Sequence, residues 1–375
     1  MKKLILVLVL LLVGSVAQAK TDVVLSSDVY YYRSSFNDLQ FDQEEERRLW
    51  QMVREAVTRQ SLPFNLISDT SASRAGGLHQ EADSERIYLL PVVMLSASMD
   101  SSYGRQGDRL YNSTVIAGIT LAFAKLEENY NLGTAGGTTY RLLAAIPLVD
   151  GDTIGLVKFD NGRATNKRHT EISVYEKKRL FFTLVQNMLQ KKFNFANANR
   201  ILSQDVSKYT HDTYQVVGVD FSSPNARELF ASPKSAQIVK YLIASYYTTA
   251  FQEKNHKIAF PPSIADTEHI NRIVDGMTTY SLGSHTGEII LEVPTVQNTV
   301  TLDVTGLNSK RDGYYVVDKV WLKKNRRYGS EQQELSRASS RMLIAGEGIE
   351  FEIEQRNVFA RLLIGLSQDL GSQKI

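Results

Sequence analysis

Residues 140–155 read YRLLAAIPLVDGDTIG and, together with VIAGITLAFAKL at residues 115–126, they decide how the first half of the chain folds. Both segments favour a strand over a helix, and the Gly-rich run GTAGG between them is typical of a turn. We therefore predict a long β-hairpin. Asp150 and Asp152 are predicted to form the turn that follows it, because Asp side chains accept hydrogen bonds from their own backbone.

The first arm of this hairpin has two different faces, because successive side chains of a strand point to opposite sides. The larger apolar side chains share one face: Val115, Ala117, Ile119, Leu121 and Phe123. The small and mildly polar ones share the other: Thr114, Gly118, Thr120 and Ala122. We expect the first face to meet a core and the second to allow another element to approach closely.

Apolar residues at spacings of three and four predict helices at residues 42–60 and 176–192. The first should begin at Asp42, an N-cap residue followed by three glutamates in the first turn, where the helix dipole favours anions. The strands predicted around these helices cover residues 22–32, 64–68 and 87–95. The last contains Pro91, so it is either buried on both faces or placed where a missing N–H is harmless.

The second half of the chain repeats this order of elements. Its predicted elements are strands 213–221, 258–260, 288–307 (with a break at Pro294), 314–324 and 348–354, and helices 234–254, 331–345 and 358–366. We therefore predict an α/β (α+β) fold of two domains, each a mixed sheet with helices packed on it. The domains should cover residues 20–195 and 213–375, with a linker at 196–212, and their shared order is that of a divergent duplication.

The N-terminus carries an export signal. Residues 1–19 have Lys2 and Lys3 before an apolar run and Ala-Gln-Ala at the end, which predicts a cleavable signal peptide and a periplasmic protein. The chain has 43 Lys and Arg against 41 Asp and Glu, so the exported chain would be neutral, which disfavours general nucleic-acid binding. It has no Cys to form a disulfide or carry a lipid. No apolar run reaches the roughly 18–20 residues of a membrane helix.

The sequence offers little catalytic chemistry. It contains no His-Glu-x-x-His, Gly-x-Ser-x-Gly, Walker or dinucleotide-binding loop. Its six histidines include no pair four residues apart, so neither a cofactor nor a metal site is predicted. One alternative is a periplasmic hydrolase of glycan or peptide, which would have to bring together Asp150, Asp152, His169 and Glu171. The other is a solute-binding protein with a deep interdomain cleft.

Two features suggest interaction surfaces. The densest basic run, Lys319 to Arg327, surrounds Trp321, and the acidic residues Glu350, Glu352 and Glu354 alternate along a predicted strand. Pairing of these two strands and an anion or partner site on the basic one both remain open. The second feature is a run of three tyrosines, which is either a partner contact or part of the core. The candidate interface residues are therefore Tyr30, Tyr31, Tyr32, Trp321, Lys323, Lys324, Arg326 and Arg327.

The first half resembles a known family in its pattern. The helix at 42–60 leads into FNLIS, and YLLPVV, ITLAFAKL, YRLLAAIPLVDGDTIG and the helix LFFTLVQNML follow. This order is similar to the periplasmic α/β domain of the curli secretion protein CsgG, the N-terminal domain of TolB, the activator LpoB and the flagellar outer-ring proteins FlgO and FlgT. The resemblance implies assembly through protein contacts, without an active site. Because the lipid-modified cysteine of the curli and activator members is missing, the flagellar ring proteins are the nearer analogue.

These observations predict a non-enzymatic structural or assembly component of a bacterial envelope machine, of the secretion or flagellar outer-ring type. Its partners would be envelope proteins and further copies of itself, close to the outer membrane or the peptidoglycan. Oligomers would form through strand edges and the tyrosine-bearing N-terminal segment. A chain without net charge has no long-range repulsion to oppose such self-association.

Overall fold

A computed structural model of the 375-residue chain contains fourteen strands and five helices within the residues that it describes. Those residues are 22–26, 29–31, 38–60, 62, 64–68, 87–105, 108–127, 139–159, 172–191, 213–255, 257–260, 270–273, 278–282, 287–294, 296–303, 313–326, 329–344 and 351–374. The predicted signal peptide and the predicted linker at 196–212 lie outside them.

The strands form two mixed sheets. They are β1 (Asp22–Leu25), β2 (Tyr30–Tyr31), β3 (Asn65–Ser68), β4 (Ile87–Arg105), β5 (Asp108–Glu127), β6 (Thr139–Phe159), β7 (Thr213–Asp220), β8 (Ile258–Phe260), β9 (Ile270–Ile273), β10 (Thr278–Leu282), β11 (Gly287–Glu292), β12 (Val296–Asp303), β13 (Gly313–Arg326) and β14 (Gly329–Ile344). The helices are α1 (Gln43–Thr58), α2 (Val174–Lys191), α3 (Pro224–Leu229), α4 (Pro233–Asn255) and α5 (Phe351–Gly371).

The first sheet has the order β3-β1-β4-β5-β6-β10-β9, and β2 also pairs with β4. The long strands β4, β5 and β6 are antiparallel, whereas β1, β2 and β3 join them in parallel pairs. The opening strand predicted at residues 22–32 is therefore two short strands that both lie along β4. The predicted hairpin is confirmed, because Val115 to Glu127 pair with β6 residue by residue.

Helices α1 and α2 cover one face of the first sheet. Asp42 caps α1 as predicted: its carboxylate accepts the N–H groups of Glu44 and Glu45, and the Glu45 carboxylate accepts the N–H of Asp42 in return. The larger apolar face predicted for β5 packs in this core, from Val115 to Phe123. The side chains of β4 on either side of Pro91 are buried on both faces of the sheet. Of the two placements predicted for this proline, the structure therefore shows the first.

The small face of β5 lies against helix α4. The Cα of Gly118 is so close to this helix that an added Cβ would lie 3.1 Å from Cε1 and 3.3 Å from the hydroxyl oxygen of Tyr241. Tyr241 and Ile238 are buried with the residues of this second face of the sheet. The sequence prediction that another element approaches this face closely is therefore confirmed.

Gly118→Ala is expected to lower the free energy of unfolding by about 1–2 kcal/mol, because the new methyl group meets Tyr241 and lies 3.1 Å from the Cβ of Leu95. Gly218→Ala in β7 is the matched control, since its added Cβ would have no atom within 4 Å. Urea denaturation of both variants measures the difference. Equal stabilities for the two variants would contradict the close approach of α4 to Gly118.

The second sheet has the order β12-β13-β11-β7-β8, with β14 on the remaining side of β13. Pro294 separates β11 from β12, as predicted. Helices α4 and α5 pack on this sheet and bury a separate apolar cluster that includes Tyr247, Phe251 and Phe359. Helix α4 therefore contributes to the cores of both sheets.

Two elements of the second half were predicted wrongly. Residues 331–345 were expected to form a helix, but Gly329–Ile344 is strand β14 and pairs with β13 along its length. The acidic strand expected at 348–354 is also wrong, because helix α5 begins at Phe351 and already includes Glu352 and Glu354. Backbone hydrogen bonds with β13 replace those that a helix would form, so tertiary context overrides local propensity here.

The turn expected at Asp150 and Asp152 is a further correction. β6 continues through DGDTIG and pairs Asp150 with Ala117 and Asp152 with Val115. Each aspartate still accepts a local hydrogen bond, from the N–H of the residue that follows it. The predicted local bonding is therefore present, but it does not bend the chain.

The chain is an α/β protein with mixed sheets and helices packed on them, as predicted. β9 and β10 belong to the second half of the chain and nevertheless extend the first sheet, next to β6. The domain limits and the duplication stay predictions. No helix in the described part of the chain is both long and apolar enough to cross a membrane.

Candidate functional site

The basic candidate residues lie on β13. Trp321, Lys323, Lys324 and Arg326 belong to this strand, and Arg327 lies outside the described residues. Because Glu352 is in helix α5, its predicted strand pairing with Lys323 is wrong. The register instead pairs Lys323 with two other acidic residues.

Those acidic residues are on the two strands that flank β13 in this part of the sheet. Lys323 is the register partner of Glu292 on β11 and of Glu334 on β14. Opposite charges at facing positions of neighbouring strands stabilise a sheet by about 0.2–1 kcal/mol per pair. The register thus favours the structural interpretation of the basic run, with acidic partners that the sequence prediction did not identify.

The tyrosine run contributes to the core of the first sheet. Tyr30 is 9% exposed, and the hydroxyl of Ser26 donates a hydrogen bond to its oxygen at 3.2 Å. Tyr31 stacks on Phe41, and burial, with the charges of Glu46 and Glu45, raises its pKa. For Tyr30 and Tyr31 the structure thus favours the core alternative, while Tyr32 lies outside the described residues.

The four residues of the hydrolase alternative are only partly described. Asp150 and Asp152 lie two residues apart on β6, and His169 and Glu171 lie outside the described residues. Within the described part of the chain, no group of three or more His, Asp or Glu side chains could hold a metal ion. Both described carboxylates accept backbone N–H groups of their own strand, which is ordinary local bonding.

A cluster of four charged residues connects α2, α4 and the segment before α1 to β4 of the first sheet, and no local sequence pattern predicts it. Lys177 of α2 donates a hydrogen bond to the Asp100 carboxylate of β4 at 2.6 Å. Lys234, in the first turn of α4, forms an ion pair with Asp38, just before α1, and donates to the carbonyl oxygen of Ser98 at 2.8 Å. The first pair connects α2 to the first sheet, and the contacts of Lys234 connect the beginning of α4 to it.

Lys177 is the unusual member of this cluster, because its side chain is only 10% exposed. Burial raises the pKa of Asp100, but the hydrogen bonds and the charge of Lys177 outweigh it, so the pKa lies below its usual value. The sequence held one signal for this pair. Lys177 is on the same helical face as Phe181 and Leu184, where an apolar residue is expected.

Asp100→Asn is expected to destabilise the protein by about 1 kcal/mol: it leaves the buried ammonium of Lys177 without a charged partner, but solvent screens the pair because the Asp100 side chain is 61% exposed. Lys177→Met should cost less than about 1 kcal/mol, since an apolar side chain of similar length suits this site. The difference in free energy of unfolding between wild type and Asp100→Asn should be fully present above about pH 4. It should disappear as the pH falls through the lowered pKa of Asp100. Urea denaturation between pH 3 and 7 measures it, and equal losses for both variants would contradict this assignment.

Helix α4 also closes one edge of the first sheet. β6 pairs with β5 along its whole length but with β10 only at residues 139–142. Further along β6, three α4 side chains donate hydrogen bonds to alternate carbonyl oxygens: Tyr246 to Val149 (3.4 Å), Thr249 to Pro147 (3.4 Å) and Gln252 to Ala145 (2.9 Å). Helix side chains therefore take the place of a further strand.

The opposite edge of the first sheet is different. β3 is the outermost strand there among the described residues, and its Ile67 is 40% exposed. Neither a charged residue nor a proline occurs within NLIS at residues 65–68, although natural edge strands are commonly protected by such residues. This edge is therefore the part of the described sheet that best suits an added strand.

Comparison with known proteins adds little to this description. No family model matches the chain, and no curated protein matches it. Among solved structures, the chain is similar to the 2.35 Å crystal structure of a minor lipoprotein from Acinetobacter baumannii, with 11% identity, covering 44% of this chain and 90% of that chain. The TM-score is 0.20, so this similarity carries no argument about fold or function.

Proposed function

We propose that this protein is a non-enzymatic structural component of a bacterial envelope assembly, and that it acts through contacts with other proteins and with copies of itself. Export to the periplasm is part of this proposal and rests on the signal sequence of residues 1–19. Membership of the periplasmic α/β family named above is likewise a proposal. It rests on the order of helix α1, the β5–β6 hairpin and helix α2.

One observation carries the proposal: α4 is buried between the two sheets and bonded to both. Its Tyr241 packs on the first sheet, and its Tyr247 and Phe251 pack in the core of the second. Gln252 donates to Ala145 of β6 at 2.9 Å and to Ala259 of β8 at 2.6 Å. Two sheets that share a core helix form one rigid unit, which suits a scaffold.

The same observation weighs against a solute-binding protein. Proteins of that class close around a ligand by moving two domains about a hinge, and the ligand lies in the cleft between them. Here the helix fills the space where the described parts of the two sheets meet, and its side chains bond to both. Opening a cleft there would break the hydrogen bonds of Gln252 and expose Tyr241 and Tyr247.

Crosslinking in intact cells tests the proposed function. A photo-crosslinking residue placed at an exposed position such as Ile67 should capture envelope proteins or further copies of the chain. The same residue placed at buried Phe251 is the matched control and should capture neither. Failure to recover any envelope protein, together with a monomeric purified protein at high concentration, would contradict the proposal.

A further inference from the structure

A row of apolar side chains that crosses the first sheet ends at an exposed residue on β3, the outermost described strand at that edge. Ile67 of β3 is the register partner of Val24 on β1, and Val24 is that of Tyr88 on β4. Val24 and Tyr88 are 3% and 5% exposed, whereas Ile67 is 40% exposed. A strand added beside β3 would extend this row by one position and cover the exposed part of Ile67.

We propose, on the basis of the assembly function above, that two copies of this chain associate through β3, in an antiparallel pairing centred on Ile67. In a two-fold symmetric contact, residue i of one copy faces residue j of the other and j faces i, so the residue at the centre, Ile67, faces Ile67 of the second copy. Both side chains then lie on the same face of a continuous sheet. Leu66 faces Ser68 in this register.

A second copy suits this edge better than an arbitrary peptide because the strand is self-complementary. Residues 65–68 carry no charge, so two copies meet without like-charge repulsion. At the centre, a β-branched residue faces the same β-branched residue, which is a favourable cross-strand pair. The exported chain would also be neutral, so no long-range repulsion opposes the encounter.

The β6 edge of the first sheet is less available for such a contact. The β6 edge beyond residue 142 is occupied by Tyr246, Thr249 and Gln252 of α4. Because α4 is buried in two cores, it cannot leave that edge without local unfolding. A four-residue contact is far smaller than the roughly 800 Å² per partner of a stable interface, so this pairing alone should give a weak, concentration-dependent dimer.

Disulfide trapping detects such a weak contact. The chain has no Cys, so Ile67→Cys introduces a single thiol. Facing Cβ atoms in an antiparallel pair lie about 4.5–5.5 Å apart, close to the span of a disulfide. Under mild oxidation this variant should form dimers at least tenfold faster than Val174→Cys, whose position is 59% exposed and reports random collisions. Equal rates would overturn the proposal.

Charge exchange tests whether the residue faces itself. Ile67→Lys and Ile67→Glu should each abolish concentration-dependent dimerisation, measured by light scattering after size-exclusion chromatography. An equimolar mixture should restore it, because lysine then faces glutamate. If each variant is monomeric and the mixture stays monomeric, self-pairing at Ile67 is wrong. If both variants dimerise like the wild type, the contact lies elsewhere; envelope crosslinking in cells would still support the assembly function.

Discussion

Gln252→Glu is expected to be the most destabilising of the substitutions considered, with a loss of about 3–5 kcal/mol in the free energy of unfolding at pH 7. The amide nitrogen of Gln252 donates to the carbonyl oxygens of Ala145 and Ala259, and the side chain is 4% exposed. An ionised carboxylate of the same shape has no hydrogen to donate. It would be buried with its negative charge facing two carbonyl oxygens.

The pH dependence identifies this cause. Burial favours the protonated form of the new glutamate, so its folded-state pKa should lie above its usual value of about 4.3. A protonated carboxyl can donate one of the two hydrogen bonds again. The loss relative to wild type should therefore shrink as the pH falls through that raised pKa towards pH 4.

Urea denaturation of wild type and variant at pH 7 and pH 5 measures this recovery. Gln51→Glu on the exposed side of α1 is the matched control, and it should leave the stability within about 0.5 kcal/mol of wild type at both pH values. A loss below about 1 kcal/mol for Gln252→Glu, with the pH dependence of the wild type, would mean that this amide does not join the two sheets.

The sequence predicted elements whose signal is local. The N-cap at Asp42 depends on residues within one helical turn, and it is confirmed with both hydrogen bonds of a capping box. The β5 strand also carries its own evidence, because alternation sorts its side chains into two faces. Gly118 even predicted a close approach, since glycine is the residue that leaves most room for a neighbour.

The predictions were wrong for elements whose structure depends on residues far away in the sequence. Residues 331–345 contain good helix formers, and nothing within them reveals that β13 supplies register partners for Gln332 to Ile344 of β14. Similarly, three alternating glutamates predicted a strand, while the helical spacing of Phe359, Leu363 and Leu366 further along decides the structure of α5. Short alternating patterns cannot outweigh a longer apolar face.

The functional features were the hardest to predict, because they join residues far apart in the chain. Lys177 and Asp100 are 77 positions apart, and Gln252 reaches Ala145 across 107 positions. A glutamine in a helix is an ordinary surface residue until a sheet edge is placed beside it. Tyr30 and Tyr31 show the reverse case, since residues that resemble a contact surface by composition pack in or against the core.

Gly371→Ala is expected to have the second largest effect, a loss of about 3 kcal/mol in the free energy of unfolding. Gly371 ends helix α5 where that helix touches α4. An added Cβ would lie 2.6 Å from the carbonyl oxygen of Tyr247 and 3.1 Å from both the Cβ of Ala250 and the backbone nitrogen of Phe251. The end of α5 must therefore move away from α4 to admit a methyl group.

The shortest of these contacts, at 2.6 Å, is with a main-chain oxygen, so no side-chain substitution opposite Gly371 can relieve it. Gly371→Ala combined with Ala250→Gly should recover little of the loss, because the oxygen of Tyr247 stays in place. The control is Ser372→Ala at the exposed next position, which should stay within about 0.5 kcal/mol of wild type. Asn255 donates hydrogen bonds to the carbonyl oxygens of Gly371 and Gln373, so hydrogen exchange at the end of α5 should rise together with the loss of stability. Full recovery in the double variant would mean that α5 and α4 are further apart at this point than the geometry of Gly371 requires.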